Sequence, residues 1–210
     1  MTEAGFVHQF ISGTSDRTLL LLHGTGGDEQ QLIPLGRELD SGAAILSPRG
    51  NVLENGTARF FRRLAEGVFD LEDLKAQTDA LAAFVRAAAG HYHFDLEKLV
   101  AVGYSNGANI AASILLRRPG LFSAAMLLRA MVPLIPEELP DLRGVDVWIA
   151  GGKEDMLIPR LSTEQLAEML SEAGAEVTAR FFDAGHALTN TELVLAKRWL
   201  DGRTGANPNR

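Results

Sequence analysis

Short apolar runs alternate with amphipathic stretches from residue 18 almost to the end of the chain. TLLLLHG (18–24), AAILSP (43–48), KLVAVGY (98–104), AAMLLRA (124–130), VDVWIAGG (145–152) and EVTARFFD (176–183) are rich in Val, Ile, Leu, Ala or Phe. Runs this short and this apolar suit strands buried on both faces, as in a parallel sheet. FVHQFISG (6–13) reads as a further strand, antiparallel at the sheet edge.

Between the strands the apolar spacing changes to three and four. In residues 70–90, Leu71, Leu74, Thr78, Leu81, Val85 and Ala88 share one helical face, with Asp70 as N-cap and Gly90 as C-cap. Residues 162–174 open on a Ser162-x-x-Gln165 capping box and close on Gly174, and 190–202 read as a last helix. No repeat, low-complexity linker or composition break divides the chain. Residues 1–202 therefore read as a single domain and 203–210 as a polar C-terminal tail. Alternating β and α elements predict a three-layer α/β fold with a mostly parallel central sheet and helices on both faces. The segment 131–144 carries Pro133, Pro136 and Pro140, which resist a long helix, so no large lid is expected.

Composition narrows the setting. The chain has 210 residues, 46% of them hydrophobic and 22% charged, which is enough for a substantial globular core. No apolar run approaches the ~20 residues that span a bilayer, so no membrane insertion is expected. The first ten residues, MTEAGFVHQF, lack the basic start and apolar stretch of a secretion signal, and the expected location is cytoplasmic. The absence of cysteine removes disulfides, thiolate metal sites and a cysteine nucleophile. A net charge of −7 argues against a nucleic-acid partner. The basic cluster RFFRR (59–63) reads as a solvated helix end balanced by Glu54 and Glu66.

The chemistry gathers at the ends of the predicted strands. GYSNG (103–107) is a G-x-S-x-G between a strand pattern and a helix pattern, the arrangement of a nucleophile elbow. Gly103 and Gly107 permit a turn tight enough to hold Ser105 above the sheet, at a helix N-terminus that favours developing negative charge. A serine hydroxyl needs a base, and the base an orienting acid. Asp155 follows VDVWIA, with Glu154 as the alternative, and His186 follows TARFF, with Asp183 a weaker candidate acid. Ser, Asp and His thus stand in the expected chain order, each leaving the end of a strand.

His23-Gly24-Thr25-Gly26 follows the first long strand and lacks the lysine of a phosphate-binding loop. The backbone N–H groups of Thr25 and Asn106 are the expected oxyanion hole, with His23 as a brace for the loop. Phe60, Phe61, Met131, Val132, Leu157 and Ile158 are candidate pocket residues, since each follows a strand end. Arg49 is read as half of a structural ion pair rather than an anion site, and His8, His91 and His93 as structural or solvated.

At these motifs the chain resembles the α/β-hydrolase superfamily. More narrowly, it is similar to the bacterial phospholipase/carboxylesterase family, which is related to acyl-protein thioesterases. The resemblance runs from about residue 18 to 200 and rests on LLHGTGGDE, SPRGNVLENGTARFFRR, VGYSNGANIA, GGKEDMLIP and AGHAL. It implies Ser105, Asp155 and His186 as a triad and no metal or organic cofactor. The implied reaction is hydrolysis of a small-molecule ester; the short, proline-bearing connection 131–144 separately predicts an open cleft that favours short acyl chains. PRGNVLENGTARFFRRLAEGVFD resembles a branch of small esterases sometimes linked to aromatic or quinone metabolism. Thioesterase relatives often carry Gln after the nucleophile, whereas this chain has Asn106. A thioesterase or lysophospholipase with the same triad is the alternative. A non-catalytic ligand-binding protein on a hydrolase scaffold is a third reading, disfavoured by the intact set of three residues. A homodimer is left open.

Overall fold

The computed structural model describes residues 5–203; residues 1–4 of the N-terminal segment and 204–210 of the expected tail lie outside the described residues. In chain order the elements are β1 (His8–Ile11), β2 (Thr18–Leu22), α1 (Ile33–Leu39), β3 (Ala44–Pro48), β4 (Val52–Glu54), β5 (Thr57–Arg59), β6 (Arg63–Ala65), β7 (Val68–Phe69) and α2 (Leu71–Tyr92). A 3₁₀ turn at Leu96–Lys98 leads into β8 (Leu99–Tyr104), followed by α3 (Asn106–Arg117), β9 (Ala124–Leu128), β10 (Asp146–Gly152), α4 (Arg160–Glu172), β11 (Glu176–Phe182) and α5 (Asn190–Gly202). Seven strands form one sheet in the order β1-β3-β2-β8-β9-β10-β11. β1 pairs antiparallel with β3 and the rest are parallel. The structure is the α/β-hydrolase arrangement, with helices on both faces.

The apolar runs do what burial on two faces demands. β2, β3 and β9 are buried at every position. Alternate side chains feed two cores. Leu20, Leu22, Ala101 and Ile149 pack with α2, α3 and α4 on one face, while Leu19, Leu21, Val102 and Trp148 pack with α1 and α5 on the other. β11 departs from the expectation of a doubly buried strand. It is an edge strand, and Glu176, Ala179 and Arg180 are exposed.

Helix ends follow local chemistry only in part. Asp70 caps α2 by accepting from the Asp73 N–H at 3.1 Å. The helix runs through Gly90, however, and ends at His93, which takes the left-handed conformation with φ +58°. Two more residues of helix place the Tyr92 ring flat on Phe10 of β1, with ring centres 4.0 Å apart, and packing overrides the glycine signal. α4 begins at Arg160 behind Pro159, so Ser162 falls inside its first turn and forms no cap. The Ser162 hydroxyl accepts from the Val132 N–H instead. The other end agrees with the expectation. Gly174, at φ +97°, closes a Schellman motif in which its N–H donates to Ser171 O and the Ala175 N–H to Leu170 O.

Residues 49–70 are not the helix end expected around RFFRR. They fold into two hairpins, β4–β5 and β6–β7. The first turns on Asn55-Gly56, both at positive φ, as a two-residue hairpin requires. Each arginine is paired. Arg59 is buried 3.5 Å from Glu54, Arg63 lies 2.7 Å from Glu54, and Arg62 lies 3.1 Å from Asp70. Asp70 thus takes a role expected of Glu66. Residues 131–144 contain no helix or strand, as their prolines suggest. Among the described residues no helix is long and apolar enough to cross a membrane.

The loop after β2 is fixed by His23, which is 1% exposed. Its Nδ1–H donates to Gly24 O at 2.7 Å, and its Nε2 accepts from the Gly50 N–H at 2.9 Å. Burial holds its imidazole below the ordinary 6.5. Arg49 donates twice to Glu29 beside it, at 2.5 and 2.8 Å, and these bonds keep the Glu29 carboxyl below its usual range.

Two predictions follow from these placements. A methyl at Gly90 would meet nothing within 4 Å, so Gly90→Ala should stabilise the protein by about 0.5–1 kcal/mol, read from urea unfolding. Loss of stability in that variant would mean that α2 does end at Gly90. His23 titrates lower in the native than in the unfolded chain. As pH falls below 6.5 the unfolded state therefore binds the extra proton and stability drops. The urea midpoint of the wild type should fall more steeply below that pH than that of His23→Gln; equal slopes would refute the neutral brace.

Candidate active site

The turn from β8 into α3 sets the position of Ser105. Ser105 sits at φ +53°, a conformation that a non-glycine residue adopts at a cost of about 1–2 kcal/mol. The Ser105 N–H donates to Leu128 O, and its own carbonyl accepts from the Asn109 N–H. A Cβ on Gly107 would strike the carbonyls of Leu22 and His23, and one on Gly103 would strike the backbone of Gly107 and Ala108. Helix α3 therefore crosses against β2 and β8 at a distance that only glycine allows.

Three loops converge on this turn. The Ser105 hydroxyl donates to His186 Nε2 at 3.0 Å, and His186 Nδ1–H donates to Asp155 Oδ2 at 2.8 Å. The Asp155 carboxylate accepts but does not donate, which places the imidazole proton on Nδ1 and leaves Nε2 free to accept. The other carboxylate oxygen accepts from the Leu157 and Ile158 N–H groups at 2.9 and 3.0 Å, and the Asp155 side chain is fully buried. Glu154 points to solvent, and Asp183 is paired on the surface with Lys153 at 2.7 Å. Neither reaches the imidazole in place of Asp155.

The cleft over Ser105 holds about 300 Å3. Thr25 and Asn106 border it, and neither backbone N–H has a backbone acceptor among the described residues. Thr25 is fixed through its hydroxyl, which accepts from Arg59 Nη1 at 2.8 Å. The Asn106 side chain looks inward, where its Oδ1 accepts from the Phe60 N–H at 2.7 Å. The residue after Ser105 thus ties the elbow to the segment that walls the cleft.

Of the six candidate pocket residues, Met131, Leu157 and Ile158 border the cleft. Phe60 and Phe61 do not. Both are fully buried, Phe60 against His23 and Phe61 edge-on to Phe69, because the β5–β6 connection dives into the core. Val132 also lies outside the cleft, packed partly against the core. The hairpins supply Arg59, Arg63, Glu66 and Phe69, and α3 supplies Asn109; none of these was expected as a lining residue. The two-residue signal Asn55-Gly56 was the available hint that 49–70 projects as a hairpin.

Tyr104 was also missed. Its hydroxyl donates to the His186 carbonyl at 3.0 Å, and burial raises its phenol above 10.0, keeping it a donor. Arg129, inside the run AAMLLRA and singled out by no sequence signal, lies fully buried against the His186 loop. Among the described residues no cluster of three His, Asp or Glu side chains could hold a metal ion.

Comparison with known proteins bears on the family and the fold. The model of the dienelactone hydrolase family matches residues 51–197. MhqD of Bacillus subtilis strain 168 is 47% identical over 192 residues, covering 91% of this chain and 96% of that one. The crystal structure of a Bacillus cereus carboxylesterase is 47% identical, with a TM-score of 0.90 over 92% of each chain. A carboxylesterase from Mesorhizobium loti is 34% identical, with a TM-score of 0.84 over 90% of each chain. With the elbow, the strand order and these relatives in agreement, the chain belongs to the dienelactone hydrolase family of the α/β-hydrolase superfamily.

Proposed function

We propose that the protein is a serine carboxylesterase acting on small, short-acyl esters. The observation that carries this reading is the unbroken chain of hydrogen bonds Ser105–His186–Asp155 at the mouth of a cleft with two unengaged backbone donors. Membership of a hydrolase family and similarity to two carboxylesterases support it.

In the proposed cycle His186 Nε2 takes the Ser105 proton as Oγ bonds to the ester carbonyl carbon. The carbonyl π electrons move to oxygen, and the N–H groups of Thr25 and Asn106 stabilise the resulting oxyanion. One such donor is worth roughly 10²–10³ in kcat. The tetrahedral adduct collapses, the C–O bond to the alcohol breaks, and the imidazolium returns its proton to the departing oxygen. Water then enters and gives its proton to Nε2 as it attacks the acyl carbon; the second adduct collapses with cleavage of the C–Oγ bond, and the imidazolium returns that proton to Ser105 Oγ, freeing the acid. Asp155 holds the imidazole in the required tautomer and offsets its positive charge.

A fluorophosphonate probe should label the wild type and not Ser105→Ala. Ser105→Ala and His186→Ala should each lower kcat by at least ~10³, and the double variant should be little worse, since the residues act as a unit. Asp155→Asn should impair turnover strongly, while Glu154→Gln and Asp183→Asn stay within a few-fold. Absence of labelling, or losses that multiply in the double variant, would refute the shared mechanism.

The cleft dimensions bear on the substrate. Phe69, Met131, Leu157 and Ile158 offer apolar surface, and Arg59, Arg63, Glu66 and Asn109 make the remaining wall polar. A buried methylene gains ~0.8 kcal/mol until the apolar wall ends, after which added methylenes stay in water. Activity on nitrophenyl esters should peak at roughly C2 to C6 and show no rise at micelle formation. A kcat/KM optimum at C12 or longer, or a preference for sulfur over matched oxygen esters, would move the reading to a lysophospholipase or thioesterase.

A further inference from the structure

The His186 loop has neither helix nor strand, yet its three consecutive carbonyls are all held by side chains. Arg129 Nε donates to Gly185 O at 3.0 Å, the Tyr104 hydroxyl to His186 O at 3.0 Å, and Arg129 Nη2 to Ala187 O at 2.7 Å. The two donors stand at the ends of the adjacent strands β8 and β9. Arg129 is itself over-determined. It sits at φ +60°, donates to Ala150 O through Nη1 at 3.3 Å, and meets both Glu192 oxygens at 2.8 and 3.1 Å. Glu192 is 1% exposed and closes the capping box of α5 with Thr189. The Arg129 Nε lies 3.8 Å from Asp155 Oδ2, the same oxygen that accepts from His186.

We propose that Arg129 is a positioning residue for catalysis: together with Tyr104 it clamps the carbonyls of residues 185–187, and it supplies the buried positive charge that offsets Asp155 and Glu192. This rests on the triad reading above. Arg129 does not border the cleft, so it acts on the imidazole and not on the substrate.

The geometry separates two contributions. Guanidinium alone has the fork that reaches two loop carbonyls and a carboxylate at once, whereas an ammonium keeps the charge and loses most of those bonds. The charge acts on the protonation of the imidazole in concert with the other groups packed around the loop. These are Tyr104 and Ser105 from the end of β8, Asp155 from the end of β10 with exposed Glu154 and the Lys153–Asp183 pair, and Glu192 from α5. Across the cleft stand Arg59, Arg63 and Glu66. Removing the positive charge favours imidazolium; removing the Glu192 charge disfavours it.

The test compares Arg129→Lys, Arg129→Met, Glu192→Gln and Tyr104→Phe in the full chain, with thermal melting to establish folding. The readouts are kcat, KM and the pH dependence of kcat/KM on a short nitrophenyl ester, and the rate of fluorophosphonate labelling. Arg129→Lys should lower kcat and labelling rate about tenfold or more, with KM and the acid limb of the profile close to wild type. Tyr104→Phe should show a smaller loss of the same kind. Arg129→Met should move the acid limb to higher pH and Glu192→Gln to lower pH, each by about half a pH unit. Glu192→Gln keeps the shape of the site and carries the pH test if the methionine variant does not fold. Wild-type kcat in Arg129→Lys, or an acid limb that stays in place in folded Glu192→Gln, would overturn the proposal. A wild type that the probe does not label at Ser105 would instead overturn the triad reading.

Discussion

The contact between α3 and the carbonyls at the end of β2 governs the rest of the site. Gly107 lies so close to Leu22 O and His23 O that no side chain fits between them. That approach forces the chain to reverse within one residue, and Ser105 absorbs the reversal at φ +53°. It also aligns two backbone segments that are 81 residues apart in sequence, Thr25 and Asn106, at one cleft. The strain is sustained because α3 is buried from Asn106 to Leu116 and β8 is the central strand of the sheet.

The residues that converge on the elbow were legible because each closes a strand whose apolar run is unmistakable. β8, β10 and β11 end at Tyr104, Gly152 and Phe182, and Ser105, Asp155 and His186 follow within four residues. Parallel pairing then carries them to one edge without further information. Even β11, which is not doubly buried as expected, brings His186 to the same edge as Ser105, because register depends on pairing with β10 and not on burial.

The cleft wall was less legible for an equally physical reason. β4 to β7 are two or three residues long, too short for period-two alternation to register. Phe60 and Phe61 follow a strand end as pocket residues would, but the β5–β6 connection turns them inward and presents Arg59 and Phe69 instead. Gly90 and Ser162 carry sound local signals that lose to longer-range contacts, the Phe10–Tyr92 stack and the Val132–Ser162 bond. Arg129 was hidden by its company. In AAMLLRA an arginine looks like the polar end of a strand, and only its tertiary partners reveal a buried charge.

Those partners explain how a buried arginine is tolerated next to Asp155 and His186. Desolvating an ion costs several kcal/mol, and one opposite charge rarely repays it without further hydrogen bonds. Arg129 has two carboxylates and three carbonyls. The same accounting applies to Asp155, which has two backbone N–H groups, the imidazole N–H and the guanidinium within reach. Neither charge is satisfied alone, so each fixes the other, and the His186 loop between them inherits that rigidity without secondary structure of its own. Removing one member would strand the remaining charges at a cost of about 3–5 kcal/mol, which couples the order of the His186 loop to the fold through α5. The hydroxyl–imidazole distance at Ser105 is therefore set on two sides, by a glycine contact beneath the serine and by an ion network beneath the histidine.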